Sequence, residues 1–201
     1  MNKFSGNRAA WLLMAMAPLL LLASGCGSSS YRLHVEAYSY AAPEAKRFVI
    51  LPGVMDVKPD NTDYQAVTSQ LARLMSGKGY VQAPDLSDAD LALYVAYNRE
   101  KTVQHGPNRI WHGIEITPPE NWVLTIEAVD LAKYKANDPK YMQWRIKTVC
   151  FEADPSITKA MPYIMAAMSD YVGRGGDVNL EVDNNLNVKV TKPKEHHHQA
   201  P

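Results

Sequence analysis

An apolar run at the start of the chain decides how much of the sequence is available to fold. The run extends from Ala9 to Leu22. It follows the cations Lys3 and Arg8, and small residues come after it. A positively charged start, an apolar middle and a small-residue end are the three parts of an export signal. Because the apolar part is too short to span a bilayer, the pattern predicts a cleaved segment.

The residues that close this signal indicate how it is processed. Ala23-Ser24-Gly25-Cys26 resembles the lipobox of bacterial lipoproteins, with Ala23 where that motif usually has Leu. The resemblance implies that Cys26 becomes the first residue and carries a diacylglycerol and an amide-linked acyl chain, since one chain alone would hold only marginally. It also implies sorting to the outer membrane, because the next residue is Gly27 and not Asp. A soluble export signal with a chance cysteine is the alternative.

We therefore expect a lipoprotein signal peptide over 1–25 and a lipidated cysteine with a flexible Gly-Ser tether over 26–30. Removal of the signal leaves about 175 residues, which suits one domain with one core. That single periplasmic domain is expected over 31–190, with a core over 31–172 and a C-terminal strand extension over 177–190. A flexible tail over 191–201 follows.

Composition limits the partners and the redox chemistry. The chain has 21 basic and 21 acidic residues, and the signal contains two of the basic ones. This balance gives no indication of nucleic acid binding. No second apolar stretch is long enough to cross a membrane, so the lipid on Cys26 would be the sole membrane attachment. Only Cys150 then keeps a free thiol, and strand alternation predicts that it is buried rather than reactive or intermolecular.

Hydrophobic patterning predicts an α+β fold. Strands are expected at 31–38, 48–51, 90–97, 122–129 and 141–151, with a sizeable loop joining the last two. A terminal hairpin is expected over 178–190, with Leu186, Val188 and Val190 alternating in its second strand. One helix is expected from a cap at Asn61 or Thr62 to Gly77, and a second from a cap at Asp154 to Val172. The run 48–51 is continuously apolar and is expected to be central. Mostly consecutive strands favour an antiparallel or mixed sheet of about six strands, with two helices packed on one face.

Three stretches of the chain resemble a known family. They are Leu71-Ala72-Arg73-Leu74 through Lys78-Gly79-Tyr80, Ala89-Asp90-Leu91 to Tyr97, and Leu124 to Asp130 with Trp144-Arg145 beyond. They are similar to small bacterial envelope lipoproteins that carry domain of unknown function 4136. The likeness spans about Tyr31 to Val172, and the connection before Trp144 and the strands after Gly176 depart from it. It implies no established activity and no catalytic residues.

The sequence gives little support to an enzyme. It lacks a Gly-x-x-x-x-Gly-Lys phosphate loop, a His-Glu-x-x-His zinc helix and a Gly-x-Ser-x-Gly nucleophile elbow. Asp85, Asp88 and Asp90 lack the glycine and the distal glutamate of a calcium loop, so capping and solvation are expected of them. We expect no cofactor and no catalytic residue.

A long loop over 104–121 is the candidate binding surface, with His105, Arg109, Trp111 and His112 as its candidate residues. Long loops often serve binding, and Arg and Trp often anchor interfaces. We therefore expect a non-enzymatic domain that binds another envelope component, either a protein or a glycan. One alternative is a structural loop with its indole on the sheet. Another is a hydrolase-like enzyme that uses two of these residues, His105 and His112, with Glu115.

The C-terminal tail offers weak metal ligands. His196, His197 and His198 could capture a transition metal, which would make the chain a metal-binding envelope protein. A solvated tail is the alternative, and no metal site is expected in the folded domain. The sequence leaves the partner and the oligomeric state open.

Overall fold

Ten strands and three helices account for most of the chain that the structure describes. A computed structural model describes residues 30–40, 46–54, 58, 60–101, 110–111, 114–115, 120–151 and 156–191. The strands are β1 (Tyr31–Ser39), β2 (Arg47–Pro52), β3 (Val81–Gln82), β4 (Leu91–Lys101), β5 (Ile110–Trp111), β6 (Ile114–Glu115), β7 (Glu120–Asp130), β8 (Met142–Phe151), β9 (Gly176–Val182) and β10 (Val188–Thr191). The helices are α1 (Thr62–Gly77), α2 (Leu131–Lys135) and α3 (Ile157–Met168).

Eight of these strands form one mixed sheet in the order β10-β9-β1-β8-β7-β4-β2-β3. β2 runs parallel to its neighbours β4 and β3, and the other pairs are antiparallel. The expected α+β class is confirmed. The expected number of about six strands is wrong, because the sheet has eight and includes the two-residue edge strand β3.

Alternation along the strands divides the sheet into two unlike faces. The face that we call the helix side carries apolar residues such as Leu33 and Val35 of β1 and Trp144 and Ile146 of β8, all buried in one core with α1 and α3. The opposite face, which we call the open face, carries polar and charged side chains that are half-buried or exposed. They are Arg32, His34, Glu36, Thr125, Glu127, Arg145, Lys147, Asp177 and Asn179.

Local sequence explains why α1 begins and ends where it does. Asn61 is the N-cap, and its Oδ1 accepts hydrogen bonds from the backbone N–H of Asp63 at 2.9 Å and of Tyr64 at 3.1 Å. The buried residues of α1 recur at helical spacing and include Val67 and Leu71. The helix ends beside Gly79, whose φ of 88° suits glycine.

Helix α3 departs from the expected bounds. Its N-cap is Ser156 rather than Asp154, which lies outside the described residues. The α-helix stops at Met168 and tightens into a 3₁₀ turn over Ser169–Tyr171, so it does not reach Val172. Pro162 lies within the helix.

The structure corrects two further expectations, on the position of β2 and on the connection between β7 and β8. β2 is not central, because only the two-residue strand β3 lies beyond it. The connection between β7 and β8 is not a plain loop, because it contains α2. Asp130 caps α2 by accepting a hydrogen bond from the backbone N–H of Lys133 at 3.0 Å.

One end of the sheet, which we call the tether end, gathers the start of the domain and both flanks of the segment 102–119. Tyr31 begins β1 there and pairs with Val182. Along the same end, Lys101 at the end of β4 pairs with Glu120 at the start of β7. The Tyr31 ring also contacts the ring of Tyr163 on α3, with 4.2 Å between centroids.

Candidate functional site

Most of the site residues expected from sequence lie outside the described residues. Cys26, His105, Arg109 and His112 are among them, as are the tail histidines 196–198. Trp111 lies in β5, which pairs antiparallel with β6 and places Trp111 opposite Ile114. The candidate loop therefore contains a short ribbon.

A mostly apolar groove lies between α1 and α3. Its volume is about 340 Å³, and we call it the helix groove. Its lining consists of Gln70, Arg73, Leu74, Pro162, Met165, Ala166, Ser169 and Leu186. The α3 members recur at spacings of three and four residues, so one stripe of that helix forms a wall.

A hydrogen-bonded turn after β9 contributes Leu186 to the helix groove. The Asp183 carboxylate accepts hydrogen bonds from the backbone N–H of Asn185 at 2.8 Å and of Asn187 at 2.9 Å. It also accepts one from the Asn187 amide at 2.9 Å. These donors, the Asn187 side chain first, lower the pKa of Asp183. The backbone N–H of Leu186 donates to the Asp183 carbonyl at 2.9 Å, which completes the turn.

Leu186 has an unusual conformation and exposure. Its φ is 62°, in the left-handed region that costs an L-residue about 1 kcal/mol or more. Its side chain is 44% exposed. The sequence pattern assigned Leu186 to a strand with Val188 and Val190, but β10 begins only at Val188. The turn-forming residues around it, Asp183-Asn184-Asn185 and Asn187, are the signal that could have identified it as a turn position.

Charge at the helix groove is unevenly compensated. Lys78, at the end of α1, lies 3.7 Å from Asp170, just after α3. Arg73 is exposed, and none of the ion pairs between described residues includes it. The groove thus combines an apolar wall with a guanidinium that the described carboxylates leave uncompensated.

The open face contains a second, more polar cavity of about 270 Å³. Its lining consists of Val54, Ala96, Tyr97, Asn98, Glu100, Val123, Thr125, Arg145 and Lys147. Charges here have neighbours of opposite sign. Arg145 Nε lies 3.4 Å from Glu127 Oε1, and Lys147 is opposite Glu36 in the strand register.

The same compensation extends to the β1–β9 pair on the open face. His34 Nε2 lies 3.5 Å from Asp177 Oδ1, and His34 Nδ1 lies 3.1 Å from Asn179 Oδ1. The Tyr38 hydroxyl donates to Glu36 at 2.5 Å, and this hydrogen bond raises the pKa of Tyr38. These side chains bind one another, so the face resembles a solvated polar surface.

The groups that could have chemistry are engaged structurally. Cys150 is buried, as expected, and burial raises the pKa of its thiol to about 12. Asp85 caps a 3₁₀ turn over Leu86–Asp88 by accepting hydrogen bonds from Ser87 and Asp88, which lowers the pKa of Asp85. Among the described ranges, no three His, Cys, Asp or Glu side chains come together as a metal site would require. Nor does any described helix have the length and apolar character needed to cross a bilayer.

Comparisons with known proteins concern the fold alone. No protein-family model and no curated protein matches the chain. A PDZ domain protein from Parabacteroides distasonis is similar over 84% of this chain, at 13% identity and a TM-score of 0.50. The match covers 42% of that protein, so this chain spans less than half of its length. A PelC dodecamer from Paraburkholderia phytofirmans is similar over 70% of this chain and 95% of its own, at 13% identity and a TM-score of 0.40.

Proposed function

We propose that the chain is an outer-membrane lipoprotein whose non-enzymatic periplasmic domain binds another envelope component, either a protein or a glycan. Lipid on Cys26 would hold the domain at the membrane. Five residue steps separate Cys26 from Tyr31, so a fully extended tether spans about 17 Å. The Ser30 hydroxyl donates to Glu181, which holds the chain at the sheet from the last tether residue onward.

One observation supports the binding role most directly. Lys101 and Glu120, which flank the segment 102–119 that contains most of the candidate loop, lie at the tether end with Tyr31. The loop and the lipid would therefore leave the same end of the domain. A component bound by Arg109 or Trp111 would then lie close to the inner surface of the outer membrane.

Lipid labelling tests the anchor. Cells that express the intact protein are grown with an alkyne analogue of palmitate, and the protein is purified and assayed for label. We expect label on the wild type and none on Cys26→Ser, and globomycin should block processing of the wild type. Label on Cys26→Ser, or processing that ignores globomycin, would contradict the anchor.

Crosslinking in intact cells tests the loop. We expect Arg109→Ala and Trp111→Ala to lower the yield of any partner adduct at least about tenfold, because Arg and Trp side chains often dominate interface energies. Lys189→Ala, on the distant edge strand β10, is the matched control and should leave the yield unchanged. Adducts that persist at full yield in both loop variants would exclude the loop as the binding surface.

A further inference from the structure

We infer that the helix groove is a second docking site, and that it binds an amphipathic helix of another protein with a carboxylate beside its apolar residues. The inference does not depend on the candidate loop. It rests on the turn that holds Leu186, on the charge of Arg73 and on the shape of the wall formed by α3.

The backbone conformation of Leu186 is one that favours other residue types. A left-handed backbone at a leucine is unfavourable, and Asn or Gly would adopt it at lower cost. Three asparagines occupy neighbouring positions in the same turn. The Asp183 hydrogen bonds nevertheless fix the turn so that leucine takes the left-handed position and remains 44% exposed at the groove. Strained residues held by over-determined surroundings often mark binding sites.

The groove wall suits an apolar contact. Ala166 is partly exposed there, whereas Met165 belongs to the buried core. Leu74 and Pro162 add apolar surface on the two helices. Binding of an occupant would remove this apolar surface from water, which is favourable.

The positive charge of Arg73 indicates that the occupant carries a negative charge. The guanidinium is exposed beside the apolar wall, and the described carboxylates form no ion pair with it. A carboxylate on the occupant could accept two parallel hydrogen bonds from it, which a neutral or cationic occupant could not do. Charge complementarity therefore favours an acidic amphipathic segment.

The length of the groove wall matches a short helix. The wall from Pro162 to Ser169 covers seven residue steps, or about 10 Å, which matches two turns of a third helix. Two packed helices offer ridges and grooves into which a third can pack. The groove begins at the tether end, where the turn that holds Leu186 follows Val182, and it runs along α3 to Ser169.

Two synthetic peptides provide the probe. Each is a labelled 14-residue helix with leucines at positions i, i+3, i+4 and i+7, and the two differ only by glutamate or lysine beside the leucine stripe. Binding is measured by fluorescence anisotropy to the full lipidated protein in phospholipid nanodiscs, with empty nanodiscs as the blank. We expect saturable binding of the glutamate peptide and binding of the lysine peptide at least about tenfold weaker.

Variants locate the binding. Leu186→Asn should weaken binding of the glutamate peptide at least about tenfold, while the unfolding midpoint stays within error of the wild type. Arg73→Glu should weaken binding of the glutamate peptide and strengthen binding of the lysine peptide. A general loss of structure would weaken binding of both. Lys147→Glu on the open face and Trp111→Ala in the loop are controls that should change neither.

Three results would overturn the inference. They are equal binding to empty nanodiscs, equal affinity for the two peptides, and glutamate-peptide binding that Leu186→Asn leaves intact. Because the controls include Trp111→Ala, failure of the groove is distinguishable from failure of the loop.

Discussion

The open face and the helix side differ in whether their surface groups have partners within the domain. On the open face, Arg145 pairs with Glu127 and His34 lies between Asp177 and Asn179, so polar groups bind their neighbours on adjacent strands. On the helix side, the helices cover the sheet but leave an apolar groove with Leu186 exposed beside it. A compensated polar face is stable in water without a partner. An apolar groove with an uncompensated charge gains free energy when a partner covers it.

The largest expected contrast compares neighbouring residues on β8. Trp144 is fully buried on the helix side, and Arg145 on the open face is exposed. Trp144→Ala should lower the free energy of unfolding by about 3–5 kcal/mol. Arg145→Ala should lower it by about 1 kcal/mol or less, because exposed ion pairs contribute little. Equilibrium urea unfolding measures both, and equal losses would show that the open face belongs to the packed core.

Thiol reactivity provides the next contrast. The pKa of about 12 at Cys150 leaves little thiolate near neutral pH, whereas a cysteine at position 147 on the open face should titrate normally. In the single variant Lys147→Cys, iodoacetamide should modify Cys150 about 1,000-fold more slowly than the introduced thiol. Mass spectrometry follows both sites in one sample. The two rates should converge in urea, and similar rates without urea would refute the burial of Cys150.

Removal of a buried hydroxyl should raise the free energy of unfolding, by less than the amount that Trp144→Ala lowers it. Thr148 lies on the helix side with its Oγ1 buried and without a hydrogen-bond partner among the described residues. Thr148→Val should raise the free energy of unfolding by about 1 kcal/mol, because valine keeps the shape and removes the unsatisfied group. Thr125→Val on the open face is the matched control and should change it by less than about 0.5 kcal/mol. A loss of stability in Thr148→Val would mean that the hydroxyl is satisfied.

The smallest expected change in stability is at Leu186. Leu186→Asn relieves about 1 kcal/mol of left-handed strain and loses about 1 kcal/mol of partial burial. The free energy of unfolding should therefore stay within about 0.5 kcal/mol of the wild type by urea titration. A loss of 2 kcal/mol or more would assign Leu186 to the core rather than to a docking surface.

Sequence patterns identified the elements that have a clear period. The alternation in β1 and β8 and the helical spacing in α1 each predicted the right element, because one face of each is buried. The two-residue strand β3 is too short to show a period. The continuously apolar run in β2 suggested a central strand, but sheet order depends on long-range pairing that a local pattern does not contain.

The helix groove could not have been predicted from the chain alone. Its walls come from α1 and α3, which lie far apart in sequence, and its rim includes a turn from a third region. The pattern that placed Leu186 in a strand followed alternate apolar residues, whereas the hydrogen bonds of Asp183 decided the backbone locally. By contrast, the lipidated cysteine was predicted from a contiguous motif and remains a proposal that the folded domain does not test.

Site-specific photocrosslinking in intact cells tests most directly whether the helix groove, rather than the open face, is the docking surface. A photoreactive phenylalanine replaces Gln70 at the groove or Asn98 in the open-face cavity, in otherwise identical full-length proteins. The account predicts a discrete adduct from position 70 that Leu186→Asn reduces at least about tenfold, and no adduct from position 98. An adduct from position 98 alone, or one from position 70 that Leu186→Asn leaves at full yield, would contradict it.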